Sequence, residues 1–80
     1  MPAPPAEPTW VLDRRRQVGC RIRALREERR LSQEALAELA GISRHTMYRT
    51  ETGARAASLD VVIRLAAALD VPLGQLFREL

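Results

Sequence analysis

The sequence predicts an all-α fold of five short helices, on three observations. Apolar residues recur at three- and four-residue spacing from Val18 onward. Ser32, Ser43 and Ser58 each stand where a side-chain oxygen would cap the start of a helix, and Gly41, Gly53 and Pro72 stand where a helix would stop. No stretch alternates apolar and polar residues as a half-buried strand does, and no internal repeat is present. Eighty residues allow one domain with a small core. Only three residues are aromatic, so Leu, Ile, Val and Ala must build the interior.

The opening "MPAPPAEPT" holds four prolines in nine residues and cannot be helical. It predicts an extended arm over residues 1–12, with the domain proper at 13–80. Trp10, Val11 and Leu12 supply an apolar clip that either covers one end of the core or serves a dimer contact. Asp13 is a plausible N-cap for a first helix running to about Arg30, with Val18, Ile22 and Leu25 on one face. Cys20 falls roughly opposite that face and should be exposed.

Ser32 opens a second helix, Gln33 to Ala40, expected to bury Leu36, Leu39 and Ala40. Gly41 ends it, and Ser43 caps a third helix reaching about Thr52. After the connector "ARAA", Ser58 caps a fourth, with Leu59, Val62, Ile63, Leu65, Ala66 and Leu69 as a broad apolar side. Asp70 and Pro72 break it, and "PLGQLFREL" forms a short last helix presenting Leu73, Leu76, Phe77 and Leu80.

The net charge is +3, and all thirteen basic residues are Arg. Arg in such excess fits recognition of phosphates and guanines, and equally fits a GC-rich coding sequence. The span from Asp13 to Arg30 carries eight Arg against three acidic residues, +5, while the remainder sums to −2. A basic first helix beside a near-neutral body suits a polyanion partner. One cysteine permits no intrachain disulfide, consistent with a reducing, cytoplasmic setting. No apolar run reaches membrane-spanning length, and no signal peptide is apparent.

Enzyme chemistry fails on inventory. His45 is the only histidine and lacks an orienting carboxylate on its outer face. Cys20 has no paired base nearby in sequence. Neither a phosphate-cradling glycine loop nor a metal-binding cluster is present. The sequence therefore predicts no catalytic site, no cofactor and no metal, and it shows no sign of a ligand pocket.

Two helices joined by a short turn containing Gly41 form a helix-turn-helix pattern, with Ala37 small at the crossing and Met47 anchoring the third helix. On a helical wheel Met47, Thr50 and Glu51 share one side, while Arg44, His45, Tyr48 and Arg49 fan across the other. The first group docks the helix, and the second is what a major groove would meet.

"IRALREERRLSQEALAELAGISRHTMYRTETG" followed by "SLDVVIRLAAALDVPLGQLF" resembles the phage-repressor-like (Cro-like, XRE) helix-turn-helix family in order and spacing of motifs, over about Val18 to Phe77. The resemblance implies a five-helix, lambda-repressor-like DNA-binding domain whose helices two and three form the helix-turn-helix. It implies a sequence-specific, double-stranded DNA-binding transcriptional regulator of the repressor type. Such a protein works as a homodimer on a near-palindromic operator. On such a domain the outward side chains Arg44, His45, Tyr48 and Arg49 are the expected base contacts. Gln33 and Arg55 match positions that approach phosphate in the family; Ser43, a cap first, and Thr46, facing sideways, are further candidate phosphate contacts. Arg26 and Glu51 match a structural pair tying helix one to helix three.

The run Arg14 to Arg16 either tracks phosphate or forms a solvated face. Leu73, Leu76, Phe77 and Leu80 are candidates for the dimer interface, or else simply close the monomer core. Two departures from the family stand out. Thr50 replaces the usual Ile, Val or Leu, and "ARAAS" replaces a proline-containing loop. The rival reading is an antitoxin-like or adaptor module on the same fold, gripping a protein partner through the arm, Trp10 and the C-terminal apolar residues.

Overall fold

The computed structural model describes residues 8–78. Four α-helices, α1 (Thr9–Glu28), α2 (Gln33–Ala40), α3 (Arg44–Thr52) and α4 (Leu59–Ala68), are followed by one turn of 3-10 helix, Leu73–Phe77. The fifth helix expected from the sequence is therefore a 3-10 turn and not an α-helix. Only five residues separate Pro72 from the extended Arg78, too few for more than a short, tight turn.

α1 begins four residues before the expected Asp13. Nothing between Thr9 and Asp13 breaks a helix, so it propagates back to the last proline. There the Pro8 carbonyl accepts from Val11 N at 3.0 Å. Trp10, Val11 and Leu12 thus lie within α1 and do not form a separate clip, and Trp10 is 67% exposed. Most of the predicted arm, residues 1–7, lies outside the described residues.

The other three helices start as the serines predict. Ser32 Oγ accepts from Ala35 N, Ser43 Oγ from Thr46 N and Ser58 Oγ from Val61 N. All four helices end in the same doubly bonded C-terminal turn. After α2 and α3 its left-handed position is Gly41 and Gly53. After α1 and α4 it is Arg30 and Asp70, each at φ 56°. Leu31 N reaches back to Arg26 O, and Val71 N to Ala66 O.

Ile22, Leu36, Met47, Leu65, Leu69 and Leu76 are the large, fully buried side chains; every helix and the 3-10 turn supply at least one, and Leu69 comes from the turn that ends α4. α1 packs on α3 and on the 3-10 turn, and α2 packs on α3 and α4. The buried stripes are narrower than the sequence suggested. α2 buries Leu36, Ala37 and Ala40 and leaves Leu39 exposed, because Leu39 lies roughly 100° from that stripe's centre. α4 likewise leaves Leu59 and Ile63 exposed beside Val62, Leu65 and Ala66.

Candidate nucleic-acid interface

α3 carries only one large aliphatic residue, Met47, so its attachment depends on polar groups as much as apolar ones. Met47 is fully buried, and Thr50 and Glu51 beside it are buried as well. Thr50, the departure at an aliphatic position, is satisfied locally: its hydroxyl donates to Thr46 O at 2.7 Å.

Glu51 is held by a fork from α1. Arg26 Nε donates to Glu51 Oε2 at 2.8 Å and Nη2 to Oε1 at 2.9 Å, with the two side chains 11% and 2% exposed. Arg26 Nη1 also donates to Leu31 O at 2.8 Å. The hydrogen bond to Glu51 raises the Arg26 pKa against the opposing effect of burial. Gln33 Nε2 joins the group, donating to Glu51 Oε1 at 3.3 Å. Three helices thus meet at one carboxylate. No buried side-chain polar atom among the described residues is left without a partner.

Gly19 is a contact the sequence reading missed. A Cβ at this position would collide with the backbone carbonyls of Glu51 and, at 2.7 Å, of Thr50. Its absence lets α1 lie directly against the end of α3. The available signal was a glycine inside an otherwise helical run. Arg15, from the basic run at Arg14 to Arg16, is also tied down: its Nε donates to Gly53 O at 2.7 Å, at the carbonyl end of α3. Arg21 does the same for Gln75 O, at 3.2 Å.

The opposite side of α3 faces solvent. Arg44, His45 and Tyr48 are exposed, and Arg49 is half-buried. Gln33, Arg44, His45 and Tyr48 line one open concavity spanning the starts of α2 and α3. Arg44 lies 3.9 Å from Glu34 of α2, a solvated pair of little energetic weight. Ser43 Oγ donates to Thr46 Oγ1 at 2.9 Å while accepting the Thr46 amide, so these two expected phosphate contacts already engage each other. Arg55 is exposed on the α3–α4 loop. With Thr46, Arg49 and Ser58 it lines a second concavity of about 230 Å³.

The candidate dimer residues do not stay together. Leu73 and Phe77 are 37% and 44% exposed, but Leu76 is fully buried in the core and is unavailable to a partner. It closes the monomer, because every second or third residue of so short a turn must face inward. Leu80 lies outside the described residues. Cys20 is exposed, as its angle on α1 required. No helix among the described residues is long and apolar enough to cross a membrane.

A helix-turn-helix domain family matches residues 17–80. HTH-type transcriptional regulatory proteins of Pyrococcus furiosus and Pyrococcus horikoshii are 46% and 44% identical to the chain over 55 residues, 69% of its length. The chain spans only 18% of the length of those relatives. The restriction-modification controller protein C.AhdI from Aeromonas hydrophila superposes with a TM-score of 0.76 at 42% identity, covering 78% of this chain and 94% of that one. An HTH_3 family transcriptional regulator from Vibrio cholerae shares the fold, with a TM-score of 0.77 at 24% identity over 82% of this chain and 37% of its own. With its capped α2–turn–α3 unit and these relatives, the chain belongs to the XRE-like helix-turn-helix family of transcriptional regulators.

Proposed function

We propose that this chain is a sequence-specific, double-stranded DNA-binding repressor that inserts α3 into the major groove. The observation that carries this reading is the division of α3. One stripe is locked to the domain through Met47, Thr50 and Glu51, and the other presents Arg44, His45, Tyr48 and Arg49 outward. Arg44 and Arg49 each carry a planar fork that matches guanine O6 and N7, worth about 1–3 kcal/mol of discrimination per good pair. His45 donates to a base edge or a phosphate, and Tyr48 packs a thymine methyl.

Phosphate contacts set register and supply most of the affinity. Gln33 spends one amide hydrogen on Glu51 and keeps a second for phosphate. The buried Arg26–Glu51 pair thereby aims Gln33 as well as docking α3. Ser43, Thr46 and Arg55 complete the backbone contacts. A single module buries a modest surface, which supports a homodimer on a near-palindromic operator, its half-sites about one helical turn apart. Leu73 and Phe77 remain the exposed apolar residues for that contact.

The test is in vitro selection from random duplexes at fixed salt, near 150 mM. Two inverted half-sites are expected in the recovered motif. Arg49→Ala should lose preference at one base position while keeping the fold. Recovery of no motif would discard the reading, and the adaptor alternative, with Trp10 as its exposed anchor, would take its place.

A further inference from the structure

The α3–α4 loop separates two concavities, and Arg55 lines both. The first is the polar one it shares with Arg49. The second lies on the far side of the loop, toward α1. It is an apolar cleft of about 190 Å³ walled by Val11, Val18, Ala56, Ala57 and Val62. The cleft is roomy enough for a short alkyl chain and is open to solvent on one side. None of its lining residues is acidic, and its only charged lining groups are arginines. Arg15 is occupied at Gly53 O, whereas Arg55 is exposed on the rim.

We infer that this cleft binds a small aliphatic carboxylate, with the alkyl chain between Val11, Val18 and Val62 and the head group on Arg55. The chemistry follows from the lining: apolar walls take the chain, and the cationic rim selects an anion over an alcohol or an amine. A planar guanidinium meets a carboxylate with two parallel hydrogen bonds. The consequence for DNA rests on the proposed function. An Arg55 fork turned toward the carboxylate is withdrawn from phosphate, so ligand and DNA oppose each other. The loop from Ala54 to Ala57 contains no proline, so no ring fixes its backbone against this movement.

The probe is hexanoate, titrated into the full 80-residue, isotope-labelled chain at constant ionic strength and followed by amide shifts. Saturable shifts are expected at Val11, Val18, Ala57 and Val62, with half-saturation on the order of a millimolar for so small a ligand. Hexylammonium should leave them unmoved, and Arg55→Gln should weaken hexanoate several-fold while its spectrum stays folded. Absence of saturable shifts at these residues overturns the site. Equal shifts from acetate, spread over the exposed arginines, also overturn it by showing charge screening alone. A second arm measures binding to the selected operator duplex with and without hexanoate. Weakening of several-fold is expected, and unchanged affinity with the cleft saturated overturns the opposition. Failure of the duplex to bind in the absence of hexanoate would instead count against the DNA reading, and the shift titration would still decide the cleft.

Discussion

Gly19 and Arg30 show how single residues set limits on this domain. At Gly19 a methyl group would press on two backbone carbonyls that cannot rotate away, since both belong to the last turn of α3. Gly19→Ala gains about 1 kcal/mol of helix propensity. It loses about 3 kcal/mol to overpacking, at the upper end of the usual range because the obstacle is backbone. The expected outcome is a net loss of about 2 kcal/mol, read as a lower urea midpoint with an unchanged slope.

Arg30 presents the opposite case. It holds φ 56° at a helix end where glycine carries no penalty. Its side chain is exposed. Arg30→Gly should raise stability by up to about 1 kcal/mol, less whatever glycine adds to the freedom of the unfolded chain. A denaturant midpoint that falls would show the Arg30 side chain matters more than its backbone.

At the scale of elements, α3 is a helix attached by a carboxylate. Arg26→Met leaves Glu51 buried with only Gln33 beside it, and removing one partner of a buried pair costs about 3–5 kcal/mol. That is a large fraction of the stability of a domain this small. A thermal melt should show the midpoint of the single variant lowered by some tens of degrees. The double variant Arg26→Met with Glu51→Leu should recover most of the loss, because no charge is then stranded. It should still bind DNA less well, since Gln33 has lost the oxygen that aims it.

Thr50→Val tests the same element more gently. The hydroxyl bonds only within its own helix, so a valine there should stabilise the chain slightly, by less than about 1 kcal/mol. A melt that moved down would mean the hydroxyl braces α3 in a way its one hydrogen bond does not reveal.

At the scale of the whole molecule, the proposed dimer and the monomer core compete for the same few apolar residues. Leu76 belongs to the core and Phe77 to the surface, although they are neighbours in the chain. Phe77→Asp is therefore expected to shift a sedimentation profile toward monomer with helicity intact. Leu76→Asp should instead lose the fold. A dimer unaffected by Phe77→Asp would place the contact on other exposed apolar residues, such as Leu59 and Ile63.

Most of the helical layout was legible in the chain, because its signals are local. A serine cap needs only the amide three residues on, and a glycine stop needs only its own φ. The two faces of α3 followed from helical geometry alone, and so did the exposure of Cys20. The same local rules erred where they met competition. Asp13 looked like a cap, but an unbroken helix runs back to Pro8. Leu39, Leu59 and Ile63 looked buried, but hydrophobicity does not say how wide a stripe a neighbouring helix can cover. Other features depend on residues far apart in sequence, and no spacing rule reaches them. Gly19 matters only because α3 ends against it, and Arg15 only because Gly53 presents its carbonyl there. The cleft beside Arg55 likewise exists only once α1, the α3–α4 loop and α4 are packed together. Local backbone preference decides which residues form each helix. Which of their side chains remain free to meet a partner is decided by long-range packing.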